Sequence, residues 1–385
     1  MNEINLKNLK TAIVYDRVNK FGGAERTLLA LHEMFPDAPL YTSVLDLNNA
    51  SWVKVFPKVY TSFLQKLPFA RNNHELFGWL MPLAFETFNF NEFDLVISVT
   101  SEAAKGIITN TNTLHVCYLL TPTRYLWSGR DFYFNNPPQK FKIFPFFKWV
   151  SKPFISYLKK WDKVASTRPD EIISISSAVS ERIKKYYERE SEVIFPPVEV
   201  KKLDRGKDKY YFIAGRFEPY KMLGLVVSTF NEIGLPLVVA GSGSEFARLK
   251  KKAYKNIKFI YKPTDEELWK LYREAKAFIM PQEEDFGIMA VEAQGFGVPV
   301  IAYNKGGSLD TVVQNKTGIF FDTQSKESLK QAIAKFDTMR FNYNYLTNNA
   351  KIFEKSKFKK QLQRSLVRSY ISWRGRNQTL AKISK

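Results

Sequence analysis

The chain has 385 residues, 45% hydrophobic and 25% charged, which excludes a disordered or fibrous polymer and exceeds what one hydrophobic core organises, so about two domains are expected. Its 58 basic against 38 acidic residues, a net charge of +20, attract phosphates, whether on nucleotides, nucleic acid or lipid headgroups; the absence of zinc-finger spacing and of an RNA-binding aromatic signature argues against nucleic acid. Cys117 stands alone, which excludes an internal disulfide and suits a reducing cytosol; the N-terminus M-N-E-I-N-L-K-N-L-K lacks the apolar region of a signal peptide, and the longest uncharged apolar run, Leu76 to Phe85, is about half a membrane span.

In chain order, Thr11 to Val18 reads as a strand running into Phe21-Gly22-Gly23 and a helix with Leu28, Leu29 and Leu31 on one side. Strand, glycine turn, helix brings backbone N–H groups close to an anion, although a bare Gly-Gly is by itself a tight turn. Further strands are expected at Leu40 to Leu45, Asp94 to Val99 and His115 to Leu119, with His115 a core residue. Beyond the last of them, Thr121-Pro-Thr-Arg124-Tyr-Leu-Trp127 offers Arg124 either as a fork for phosphate or carboxylate, or stacked on Trp127. Between Lys140 and Lys163, eight aromatics and seven lysines alternate with one acid, Asp162, and two prolines argue against one continuous helix. Rings and unpaired cations in that mixture suit an anionic membrane surface, and packing of the rings on the N-terminal domain is the plainer alternative.

Glu171 to Ser176 reads as a strand, Ser177 to Tyr187 as a helix, and Val193 to Phe195 as a strand stopped by Pro196-Pro197. Composition turns polar from Val200 to Lys209, which places a domain boundary there. The second half opens with a strand at Tyr210 to Ala214 and then Gly215-Arg216-Phe-Glu-Pro-Tyr-Lys221, two cations between a strand end and a helix start, an arrangement suited to a diphosphate. Strands follow at Leu235 to Ala240 and Lys255 to Tyr261, a capping box at Thr264 to Glu267, and another strand at Ala277 to Met280. There the chain reads P-Q-E-E-D-F-G-I-M-A-V-E-A-Q-G-F-G-V-P-V-I-A-Y-N-K-G-G over 281–307, with seven residues between Glu284 and Glu292. If Glu284 ends a strand and Glu292 rides the next helix, both face the crevice beyond the carboxyl ends of a parallel sheet. Thr317 to Phe321 and Ser325 to Phe336 complete a second alternation of strands and helices, and Thr347 to Trp373 is helical and basic.

These turns together resemble the family-four retaining glycosyltransferases. The resemblance rests on F-G-G-A-E-R at 21–26, H-V-C-Y-L-L-T-P-T-R-Y-L-W at 115–127, R-I-K-K-Y-Y and V-I-F-P-P-V at 182–198, G-R-F-E-P-Y-K at 215–221, and E-D-F-G-I-M-A-V-E-A with G-V-P-V-I-A at 284–302. It implies an α/β chain of the GT-B class, two doubly wound Rossmann-like domains facing a cleft. Residues 1–198 would be the acceptor-side domain, 199–350 the nucleotide-sugar domain, and 351–385 a helix crossing back to the first. The wording is similar to members that use GDP-mannose in polysaccharide or lipid-linked oligosaccharide assembly.

By resemblance, Glu284 would hold donor-sugar hydroxyls with the N–H groups of Phe286, Gly287 and Ile288, and Glu292 the ribose. Arg216 and Lys221 would neutralise the diphosphate as the glycosidic bond breaks, Gly22 and Gly23 would approach it from the other domain, and Lys262 would contact the base. The chain has no D-x-D triplet, so the cations are expected to replace a bridging metal. Where similar members carry a histidine before T-P, this chain has Leu120, and Glu102 and Arg124 are the local substitutes. The expected protein is a retaining, metal-independent hexosyltransferase, cytoplasmic and peripheral on the inner face of the cell membrane. The alternatives are a non-catalytic GT-B nucleotide-sugar-binding protein and a peripheral membrane scaffold acting through residues 140–163.

Overall fold

A computed structural model describes residues 6–69, 71, 73–131, 147–201, 206 and 208–383. The chain divides into two compact units, Met1–Pro196 with Phe358–Lys385, and Pro197–Lys357. Each holds one sheet in which every recorded strand pair is parallel. Both units are doubly wound and Rossmann-like.

The first unit runs β1 (Thr11–Tyr15), α1 (Gly23–Met34), β2 (Leu40–Thr42), β3 (Val59–Thr61), α2 (Met81–Glu86), β4 (Leu95–Thr100), β5 (Leu114–Leu119), α3 (Phe147–Ala165), β6 (Glu171–Ser174), α4 (Ser177–Tyr187) and β7 (Glu192–Val193). Its strand order is β3-β2-β1-β4-β5-β6-β7. β1, β4 and β5 are buried at every position, the pattern of central parallel strands covered on both faces. The order reverses between β1 and β4, where a doubly wound sheet opens its ligand crevice.

The second unit runs β8 (Tyr210–Arg216), α5 (Leu223–Ile233), β9 (Leu237–Ser242), α6 (Phe246–Lys252), β10 (Ile257–Tyr261), α7 (Asp265–Arg273), β11 (Ala275–Met280), α8 (Ile288–Gly295), β12 (Val300–Tyr303), α9 (Ser308–Thr311), β13 (Gly318–Phe321), α10 (Lys326–Asp337) and α11 (Tyr343–Lys351). Its order is β10-β9-β8-β11-β12-β13, with the reversal between β8 and β11. The period-2 pleat sorts its side chains into two cores: Tyr211, Ile213 and Ile279 pack with Phe230 and Ile333 on one face, while Phe212, Phe278 and Met280 pack with Tyr272 and Ala290 on the other. The expected capping box is present, Thr264 accepting from Glu267 N and Glu267 accepting from Thr264 N.

Two expectations are corrected, and the short strand β3 and helix α2 arise inside stretches without a legible period. The basic C-terminal segment is two helices, α11 and α12 (Lys355–Ile383), and from Phe358 onward α12 packs within the first unit, through Phe358 against Tyr118 and Ser365 to Glu192. Helix α3 continues through Pro153; proline removes one i→i−4 hydrogen bond but does not stop a helix anchored beyond it. Residues 140–146 of the aromatic and lysine-rich segment lie outside the described residues.

That anchor is Asp162, the segment's one acid. Its Oδ1 accepts from Lys105 Nζ at 2.5 Å and Thr123 Oγ1 at 2.8 Å, and its Oδ2 from Trp127 Nε1 and Tyr187 OH, each at 2.7 Å. Both ionic side chains are 1% exposed, so each charge depends on the other for compensation. Asp162→Ala would strand the Lys105 ammonium and is expected to lower stability by about 3–5 kcal/mol in chemical denaturation. Lys163→Ala, which breaks the exposed Lys163–Glu188 pair, is expected to change it by less than about 1 kcal/mol.

His115 is the core residue expected: Nε2 lies 2.8 Å from Ser98 Oγ, and the buried Nδ1 has no partner. Burial, with Arg189 and Arg168 nearby, lowers its pKa to about 3. The unfolded chain therefore binds a proton that the native one refuses between the ordinary histidine value and about 3. Stability is fully present above the unfolded value and is lost as pH falls through that window, at up to about 1.4 kcal/mol per pH unit. Denaturation of His115→Gln across the same window should show a correspondingly flatter pH dependence than the wild type.

Candidate functional site

In the second unit the loops after β8, β11 and β12 meet at the carboxyl ends of their strands. β8 and β9 approach closely here: a Cβ on Gly241 would lie 1.9 Å from Gly215 O, and Gly215, Gly241 and Gly243 all have positive φ, which glycine alone adopts without strain. Buried Phe217 anchors the next residues, its N–H donating to Ser242 O at 2.7 Å. A single 3-10 turn, Pro219–Lys221, then leads into α5. Arg216 at its mouth is exposed and donates to Tyr220 OH at 2.7 Å, and the Lys221 ammonium lies 5.2 Å from the same ring. Tyr220, which sequence reasoning did not single out, holds the two cations apart on one side chain.

After β11, the loop from Pro281 fixes Glu284 by its main chain. Glu284 forms an isolated parallel bridge with Gly306, and Gly307 N donates to its carbonyl at 2.8 Å. The Glu284 carboxylate pairs with Lys221 Nζ and accepts from Gln282 Nε2 at 2.7 Å. With side chains 16% and 21% exposed, the pair is partly desolvated and open to a ligand. Phe286 is buried against Phe353, while Gly287, at φ 96°, is the N-cap of α8. The first N–H groups of this helix, Ile288 among them, lack intrahelical acceptors. Glu292 stands one turn along α8, on the face of Ile288, and accepts a long hydrogen bond from Tyr272 OH at 3.4 Å.

The structure thus brings together Lys221, Glu284 and the start of α8, with Arg216 beside Lys221. Lys262 does not join them: it is exposed just beyond β10, two strands from β8, with a left-handed backbone and its N–H on Gly241 O.

In the first unit, Gly22 is the N-cap of α1 with an extended backbone, and Gly23 begins the helix. The Gly-Gly pair therefore does not serve a left-handed turn. Glu25, buried in the first turn, accepts from Tyr15 OH at 2.6 Å. At the β1–β4 reversal, Asp16 is buried and accepts from Thr100 Oγ1, Ser101 N, Glu102 N and Ala104 N at 2.7–3.1 Å. Burial, and then the Glu102 charge, push its carboxyl above the usual range. Glu102 pairs with Arg17 at 2.6 Å; burial pulls the Arg17 guanidinium down, but Glu102, Asp16 and Tyr15 together outweigh it and the net shift is upward. Leu120 donates its N–H to Thr100 O, and the Arg124 carbonyl accepts from Gly129 N. The Lys159 ammonium lies over the Trp127 ring at 4.5 Å. Asp16 and Arg17 were not identified from the sequence, because nothing in their spacing marks them, and Glu25 entered only as a letter of F-G-G-A-E-R.

Two parallel, doubly wound sheets, the second with a Lys–Glu pair at a strand-to-helix crevice, define an α/β chain of the GT-B fold class. Residues 197–353 match the family model described as Glycosyl transferases group 1, which covers nearly all of the second unit. An uncharacterized glycosyltransferase of Methanocaldococcus jannaschii is 24% identical over 199 residues, 50% of this chain and 57% of that protein. A GDP-mannose-dependent alpha-(1-6)-phosphatidylinositol monomannoside mannosyltransferase of Mycobacterium tuberculosis is 34% identical over 115 residues, 26% of this chain and 30% of its own length. The chain thus spans between about a third and somewhat over half of these curated relatives.

Among solved structures, sucrose-phosphate synthase from Thermosynechococcus elongatus superposes with a TM-score of 0.67 at 16% identity, covering 94% of this chain and 100% of that one. Anabaena HepE in complex with UDP and glucose gives 0.63 at 15% identity over 93% and 99%. These likenesses establish the fold, and the family match covers less than half of the chain.

A side chain at Gly307 would set its Cβ 2.3 Å from Phe286 Cα, with backbone on the far side that has no rotamer to yield. Gly307→Ala is expected to cost about 1–3 kcal/mol by overpacking and to displace the loop carrying Glu284. Thermal melting together with nucleotide-sugar titration would register both effects.

Proposed function

We propose that this chain is a retaining, metal-independent hexosyltransferase that moves mannose from GDP-mannose to a lipid-linked or polysaccharide acceptor at the inner face of the cell membrane. The observation that carries the reading is the Lys221–Glu284 pair, with Gln282 on the same carboxylate and Arg216 beside it, at the β8–β11 reversal. Lys221 and Arg216 supply positive charge where a diphosphate leaving group develops its negative charge. Glu284 supplies a carboxylate for sugar hydroxyls, and Phe286, Gly287 and Ile288 the main-chain donors at the start of α8. Glu292 takes the ribose, Lys262 the base, and Gly22 and Gly23 the diphosphate.

In this reading the bond from the anomeric carbon to the diphosphate oxygen breaks as the bond to the acceptor oxygen forms on the same face. The acceptor proton passes to the departing phosphate oxygen, which removes the need for an imidazole at Leu120. Glu102 and Arg124 orient the acceptor. The mannosyltransferase relative supports the donor assignment. Exposed Phe154 and Tyr157, one helical turn apart on α3 with Lys152 and Lys160 exposed beside them, support membrane contact; no helix among the described residues is long and apolar enough to span a bilayer.

A second reading, a GT-B binding protein without turnover, is favoured by Leu120 alone. Melting the protein with GDP-, UDP- and ADP-sugars should give the largest stabilisation with GDP-mannose, because a ligand that binds only the native state raises its melting temperature. Glu284→Gln and Arg216→Ala should each abolish transfer while melting like the wild type. Undiminished turnover in both would sink the assignment, and binding without product over a broad acceptor panel would favour the second reading.

A further inference from the structure

We propose that Gln282 is the positioning residue for Glu284, fixing which carboxylate oxygen is offered to the donor sugar; the inference rests on the nucleotide-sugar reading above. The main chain of Glu284 is already held by Gly306 and Gly307, so the freedom that remains lies in its side-chain torsions. Two donors remove it, and both act on one atom: Lys221 Nζ and Gln282 Nε2 each donate to Oε1. Gln282 and Glu284 are two residues apart, and the Gln282 amide reaches the carboxylate at 2.7 Å. A carboxylate accepts at both oxygens; with two donors on Oε1, the accepting capacity left for a sugar hydroxyl is at Oε2.

The two donors are not equivalent. Lys221 carries a full charge, and an arriving diphosphate competes with Glu284 for it. Gln282 is neutral, has no such attraction to phosphate, and keeps its hydrogen bond to Oε1 while Lys221 redistributes. Its contribution therefore falls on the sugar and not on the diphosphate. A glutamine that merely buttressed the loop would affect both parts of the donor and the melting temperature together.

The test is titration calorimetry of wild type, Gln282→Ala, Gln282→Glu and Glu284→Gln with GDP-mannose, UDP-glucose and ADP-glucose, each beside its free nucleoside diphosphate. For the nucleotide that wild type binds, Gln282→Ala should weaken the nucleotide sugar about tenfold, the size of one hydrogen bond to a charged group, and leave the free diphosphate unchanged. Gln282→Glu sets a second carboxylate beside Glu284, so the acid limb of nucleotide-sugar affinity should move to higher pH. Gln282→Ala binding both ligands like wild type while Glu284→Gln loses the sugar nucleotide would overturn the inference. So would an equal loss of both ligands or a lowered melting temperature in Gln282→Ala. Wild type binding none of these ligands would instead take down the nucleotide-sugar reading beneath it.

Discussion

The arrangement of the second unit depends on keeping a lysine and a glutamate together at the mouth of a crevice without surrendering either charge. A fully buried pair would satisfy its own electrostatics and have nothing to exchange with a ligand, whereas a fully exposed one would be loosened by water and salt. Lys221 and Glu284 lie between these limits. Their positions follow from the fold: Lys221 comes from the β8 side of the strand reversal and Glu284 from the β11 side. The glycines at 241, 243, 306 and 307 let the surrounding backbones approach within distances that no Cβ would permit. The ion pair is thus a product of topology and of small residues, more than of local sequence.

The first unit answers the same geometric problem with different residues. At its own reversal, between β1 and β4, Arg17 pairs with Glu102, and buried Asp16 ties the β4 loop down through four donors. Here the carboxylate that organises the loop is sealed, and its raised pKa reflects that burial. The partly exposed pair stands one residue further along each strand end. The first unit therefore separates a fixed electrostatic anchor, Asp16, from an accessible pair, and the second fixes its pair through the Glu284 main chain, so the accessible groups can change partners without unravelling the turn that presents them.

Much of this was legible in the sequence. Alternating apolar runs and glycine-bearing turns gave the strand and helix order, because a parallel strand buried on both faces must be apolar throughout and a helix start must be capped. The spacing of Glu284 and Glu292, and the cations at 216 and 221, pointed to one crevice for the same reason. What could not be read were pairings between distant segments. Nothing near Asp16 announces that the donors of residues 100–104 will close on it, and nothing near Gln282 announces that its amide shares an oxygen with Lys221. Short β3 and α2 carry no period of their own and exist only because the sheet edge and the core beside them require cover. Strand order, not chain order, decides which loops are neighbours, and it sets Lys262 two strands from β8.

The lysine-rich aromatic segment shows how one charge changes the meaning of a composition. Read as a string, seven lysines and eight rings between residues 140 and 163 are a single amphipathic surface with an incidental acid. In the described part of that segment the acid is the organising residue. Asp162 turns one side of α3 inward onto Lys105, Thr123, Trp127 and Tyr187, and Trp161 follows it to donate to Glu86. Packing on the domain therefore accounts for the inner rings. Phe154 and Tyr157 remain outside, earlier on the same helix, and among the described side chains of the segment these carry forward an argument for an external apolar partner. Because Asp162 also holds Thr123 and Trp127, the helix and the loop containing Arg124 share one buried anchor, and a force on the outer face of α3 has a direct covalent and hydrogen-bonded route to that loop.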